Sequence, residues 1–84
     1  MIMEINWEQF CKEFKESYKQ FEFIFQDMII VMRHDPTISI FSIEKNGKII
    51  KEIRYKTAQD LLDRAMIEER EIRELFELFE EDCD

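Results

Sequence analysis

Residues 21–36 read Phe-Glu-Phe-Ile-Phe-Gln-Asp-Met-Ile-Ile-Val-Met-Arg-His-Asp-Pro, and the period assigned to them decides the fold. As a helix, they extend a stripe through Trp7, Cys11, Phe14, Tyr18, Phe21, Phe25, Met28 and Met32, the four-three spacing of a coiled-coil seam. That reading leaves Phe23 and Ile30 on the outer face. As strands, Phe21, Phe23 and Phe25 alternate with polar neighbours, Gln26-Asp27 turns the chain, and Met28 to Met32 form a second apolar run. Aromatic and β-branched enrichment favours strands. Two strands are therefore the expectation, with the helix as the alternative.

The flanks are easier to read. His34-Asp35-Pro36 is expected to be a turn, because proline disfavours helix at the residue before it. Two β-rich runs then flank Asn46-Gly47, the preferred pair for a type I′ hairpin. Upstream, Asn6 is an N-cap with Gln9 at the capping-box position, and Trp7, Phe10, Cys11, Phe14 and Tyr18 form one helical stripe. Downstream, Thr57 caps a helical region with Asp60 at the third position. Its apolar face is Ala58, Leu61, Leu62, Ala65 and Met66. The stripe lapses at Glu68-Glu69 and resumes with Ile72, Leu75, Phe76 and Phe79, so residues 57–80 read either as one interrupted helix or as two.

The order predicts one small α+β domain spanning residues 1–84. An N-terminal helix precedes an antiparallel meander of four strands, and a C-terminal helical region follows. Helices at both ends can cover one face of the sheet. The unbroken run Met28–Met32 and the adjacent pairs Ile40-Phe41 and Ile49-Ile50 exceed what a one-sided sheet needs. A second buried face is expected, meeting another subunit or a partner.

Composition narrows the function classes. With 84 residues, 45% hydrophobic, the chain can fold but has a small core. No apolar run approaches a membrane span, and the first residues do not resemble a secretory signal. Cys11 and Cys83 are isolated, which fits a reducing, cytoplasmic setting. The net charge is −8, and residues 56–84 hold eleven acids against four bases. Such a chain repels nucleic acid and anionic membranes and attracts basic protein surfaces.

Chemistry-bearing motifs are sparse. His34 beside Asp35 is not a triad, and no hydroxyl lies in a nucleophile motif. Cys83 sits among acids that suppress its thiolate, and Cys11 reads as core. The terminal acids lack the spacing of a calcium loop, and the single glycine excludes a glycine-rich phosphate cradle. No enzyme, cofactor or metal site is expected. Lys45, Lys48, Lys51 and Arg54 on the hairpin read as protection of a strand edge.

The tail, Arg-Glu-Leu-Phe-Glu-Leu-Phe-Glu-Glu-Asp-Cys-Asp over residues 73–84, combines apolar spacing with carboxylates. At a helix C-terminus these have the wrong sign for the macrodipole, each costing about 0.3–1 kcal/mol. Either the last turn frays or a basic partner neutralises it. The second option nominates Glu71, Glu74, Glu77, Leu78, Glu80, Glu81 and Asp82 as a protein-binding surface, with charge setting on-rate and specificity. The expectation is a non-enzymatic inhibitor or regulator of the phage or mobile-element type. Its partner would be a larger protein with a basic surface, such as one that handles nucleic acid. A homodimeric assembly protein and a small-ligand binder are the alternatives.

Overall fold

Strands prevail in the stretch that decides the fold. The computed structural model describes residues 5–81. Within it, β1 (Phe21–Phe25) and β2 (Met28–His34) pair antiparallel with Phe25 opposite Met28. In strand geometry Phe23, Phe25, Met28, Ile30 and Met32 share one side, and all five are buried. A helix would have left Phe23 and Ile30 in water, so the coiled-coil seam does not form.

β3 (Ser39–Lys45) and β4 (Lys48–Tyr55) are joined by Asn46 and Gly47, whose φ values of 55° and 77° are the left-handed pair a type I′ turn requires. β4 carries one extra residue. Ile43 faces Lys51 and Glu44 faces Ile49, which leaves Ile50 at a bulge. The adjacency of Ile49 and Ile50 therefore reflects the bulge, and both side chains are exposed. The connection before β3 is organised by Asp35. Its Oδ1 accepts from the Thr37 N–H, the Thr37 hydroxyl and the Ile38 N–H, each at 3.0 Å. Bonds from Thr37, backbone first and then hydroxyl, favour the ionised form and hold this carboxyl below its ordinary value, with the Ile38 N–H adding to the effect.

α1 (Trp7–Glu16) begins with the expected capping box. Asn6 Oδ1 accepts from the Gln9 N–H at 2.8 Å, and the Asn6 N–H donates to Gln9 Oε1 at 3.4 Å. The helix stops at Ser17, so Tyr18 does not continue the stripe. It is exposed, with its ring 5.0 Å from that of His34. His34 is the last residue of β2 rather than part of the turn. Its Nε2–H donates to the Lys15 carbonyl at 3.1 Å, which ties the end of α1 to the end of β2.

The C-terminal third departs most from expectation. α2 (Ala58–Arg64) is capped by Thr57, whose hydroxyl accepts from the Asp60 N–H at 3.0 Å. The lapse at Glu68-Glu69 is then a two-residue hairpin between β5 (Met66–Ile67) and β6 (Arg70–Glu71). A single turn of helix, α3 (Ile72–Leu75), runs into a 3₁₀ turn (Phe76–Leu78), and a short strand, β7 (Glu80–Glu81), follows. β7 pairs antiparallel with β1, Ile24 opposite Glu80, and gives the sheet the order β4-β3-β2-β1-β7. The meander thus gains a fifth strand. Glu80 and Glu81 lie in a strand, where no helix dipole opposes them. The expected conflict with the macrodipole does not arise.

The helices and the segment from Ala65 to Phe79 cover one face of the sheet. Phe10 is the hub of the resulting core. Its ring lies 5.1–5.8 Å from those of Trp7, Phe14, Phe21, Phe23 and Phe76. Edge-on and offset pairs of this kind each add about 0.5–1.5 kcal/mol beyond burial. The aromatic stripe of α1 is thus core, as its spacing indicates, and the half-buried Cys11 packs against it. Burial raises the Cys11 thiol above its ordinary value and so keeps it protonated. Among the described residues, no helix is long and apolar enough to cross a membrane.

Candidate functional site

Two surfaces remain after the core is accounted for. The first is the acidic C-terminal segment. Its apolar residues divide sharply, with Ile72, Leu75, Phe76 and Phe79 buried and Leu78 exposed. The stripe Ile72, Leu75, Phe76 and Phe79 is therefore core, and of the apolar residues here only the nominated Leu78 is left at the surface. Glu74, Glu77 and Leu78 project outward from α3 and the 3₁₀ turn, and Glu80 is exposed on β7. Glu71 lies apart from these, on β6, with its carboxylate 3.2 Å from Arg73 Nε. Arg73 therefore turns to Glu71, two residues back, instead of forming the helical pair with Glu77. Glu81 supplies backbone pairing to Phe23, and Asp82 lies outside the described residues. Glu74, Glu77 and Leu78 form an outward face backed by the buried Phe76 and Phe79 rings, whereas Glu80, opposite Ile24, belongs by register to the sheet face away from the helices. Phe79 sits 5.7 Å from Phe23, 5.6 Å from Phe25 and 5.9 Å from Phe76.

The second surface is the sheet face away from the helices. Residues directly opposite in an antiparallel pair share a face. The registers therefore place Ile24, Ile29, Val31, Ile40 and Ile49 together on this side. The first four are only half-buried, and Ile49 is 64% exposed. A second apolar face is present, and none of the described residues covers it. A shallow depression of about 300 Å³ lies over it, bounded by Glu22, Arg33, Glu44 and Glu52. These charged residues were not nominated from the sequence. Alternation within each strand assigns them a face, but only the register brings them together.

The hairpin bases behave as an edge should. β4 is the outermost strand on its side, and Lys48 and Arg54 are exposed along it. Lys51 is partly drawn in, with its Nζ donating to the Met66 carbonyl at 2.9 Å and lying 5.9 Å from the centre of the Phe41 ring. Lys45 pairs with Asp27 at 3.4 Å across the ends of β3 and the first hairpin. Among the described residues, no cluster of three or more His, Cys, Asp or Glu side chains is placed to hold a metal ion. Comparison with protein-family models, curated proteins and solved structures finds no match to this chain.

Proposed function

We propose that this chain is a small non-enzymatic protein-binding module, an inhibitor or regulator, that docks its acidic C-terminal surface on a basic surface of a larger protein. The observation that supports this reading is the division of side chains along residues 72–80. Ile72, Leu75, Phe76 and Phe79 anchor the segment in the core, and Glu74 and Glu77 stand exposed on the same short segment as Leu78, with Glu80 exposed on β7 beyond it. A segment fixed in this way presents its carboxylates with little ordering left to occur on binding. Long-range attraction to a cationic partner then raises the encounter rate, and Leu78 supplies a small apolar contact once docked. A groove that handles nucleic acid is a fitting target because it is basic by construction. A compact acidic inhibitor of the kind carried by phages and mobile elements would occupy such a groove.

The test is capture of partners at low salt from the cell that makes the protein, using wild type and the charge-reversed variant Glu74→Lys/Glu77→Lys. The expected result is a partner of basic surface that is retained by wild type, released by salt and lost by the variant. Retention of the same partner by the charge-reversed protein at low salt would exclude this surface as the docking site.

A further inference from the structure

We propose that the uncovered face of the sheet is a self-association surface, on which a second copy of the chain packs sheet to sheet about a two-fold axis. The registers arrange this face in three rows across the strands. One row is Arg33–Ile40–Arg54 and the middle row is Glu22–Val31–Ser42–Glu52. The third runs Glu80–Ile24–Ile29–Glu44–Ile49. One end row therefore carries arginines around an isoleucine, the other glutamates among isoleucines, and the row between them centres on Val31 and Ser42.

That polarity makes the face complementary to itself. Consider an axis that lies between two such faces and runs across the strands. It lays each strand over its own counterpart in reverse direction, so the Arg33 row of one copy covers the Glu44 row of the other. Glu44 of the second copy then comes over Ile40, between the guanidinium groups of Arg33 and Arg54, and the isologous symmetry repeats the contact at the opposite end. Among the described residues Arg33 makes no ion pair, and Arg54 reaches only Glu52 at 4.0 Å, an exposed and loose contact. Val31 meets its own counterpart at the centre. The same axis sets Glu22 and Glu52 against their own counterparts; both are exposed, Glu52 on the edge strand β4, and their repulsion opposes the arginine–glutamate contacts.

The area is adequate. Four strands about 4.8 Å apart and roughly seven residues long at about 3.3 Å each give a face of roughly 400 Å² in projection. The accessible surface over protruding side chains is larger, on the order of 600 Å² a side, which reaches the lower bound of stable interfaces. Aligned packing of two sheets is a standard way to bury such faces. A uniformly basic partner would instead place cations against Arg33 and Arg54. This surface is distinct from the outward face of Glu74, Glu77 and Leu78, so a dimer would display that face twice.

Sedimentation velocity over the micromolar to high-micromolar range tests the proposal with wild type, Glu44→Arg and the double variant Arg33→Glu/Arg54→Glu. Far-ultraviolet circular dichroism establishes that each is folded. Wild type is expected to dimerise, and each variant alone should associate more weakly by about tenfold or more, since like charges then face each other. An equimolar mixture of the two variants should regain the dimer, because both contact ends become complementary again. A monomeric wild type over the whole range would overturn the proposal and leave the face to an unlike partner. So would a mixture of folded variants no more associated than its components.

Discussion

Leu78 and Phe79 are neighbours with opposite fates, and replacing each in turn tests the course of the C-terminal segment. Phe79 is 1% exposed and lies within 6 Å, ring to ring, of Phe23, Phe25 and Phe76. Leu78 is 61% exposed. A fully buried phenylalanine replaced by alanine costs about 3–5 kcal/mol. At about 0.05–0.15 kcal/mol per residue, the whole domain holds only about 4–12 kcal/mol. Phe79→Ala therefore removes much of the stability and can abolish folding. Phe79→Leu retains an apolar side chain but loses three ring contacts, for a net cost of about 1–3 kcal/mol. Leu78→Ala should stay within about 0.5 kcal/mol of wild type. Urea titration followed by the fluorescence of Trp7, whose ring meets that of Phe76 edge-on at 5.4 Å, reports all three. With a slope near 1 kcal/mol/M, the midpoint for Phe79→Leu should fall by about 1–3 M, and that for Leu78→Ala by about 0.5 M or less. Equal losses at the two positions, or none at Phe79, would refute the packing of Phe79 against β1 and Phe76.

Three further outcomes are expected. Glu68 and Glu69 turn the β5–β6 hairpin with φ of 52° and 68°, a strained conformation for such side chains. Glu68→Asn/Glu69→Gly should therefore raise stability by about 1 kcal/mol in thermal or urea unfolding, and a loss would contradict the turn geometry. Ser39 Oγ is buried without a hydrogen-bond partner, so Ser39→Ala should be neutral or stabilising by about 1 kcal/mol; clear destabilisation would reveal a bond to that hydroxyl. The Asp35 carboxyl is held below its ordinary value by its bonds from Thr37, so its contribution is present above the unfolded value and is lost as pH falls through the lower folded one. Asp35→Asn should make the stability curve flatter across that acidic window than in wild type, and an unchanged slope would show that the Thr37 bonds do not matter.

What the sequence revealed depended on how local the cause was. Asn46-Gly47 dictates its own turn, and Asn6 with Gln9 or Thr57 with Asp60 dictate their own caps, so these were legible. The alternation of Phe21, Phe23 and Phe25 exposed β1, and the pair Ile40-Phe41 betrayed a strand with two apolar faces. The C-terminal segment was illegible because the spacing Ile72, Leu75, Phe76, Phe79 is the same for a long helix as for one turn of helix followed by a 3₁₀ turn. What separates them is β7, a two-residue strand whose pairing with β1 comes from the far end of the chain. Glu68-Glu69 hid a hairpin because neither residue favours a left-handed backbone. For the candidate site, charge was visible but burial was not. The carboxylates of Glu74, Glu77 and Glu80 stood out, while only the packed structure shows that the apolar residues among them serve the core. The row Arg33–Ile40–Arg54 exists only once three strands are in register.

The pairing of β7 with β1 has a consequence for the chain before it is complete. Phe-Glu-Phe-Ile-Phe over residues 21–25 is the kind of short, β-prone, aromatic segment that templates cross-β stacking when its backbone is left open. Its free side is covered at Phe23 and Ile24 by residues that a ribosome adds only after β2, β3 and β4. Until then a nascent or truncated chain exposes that border to its neighbours. The glutamates of β7 therefore act as gatekeepers, closing the border and setting negative charge where another molecule would try to add.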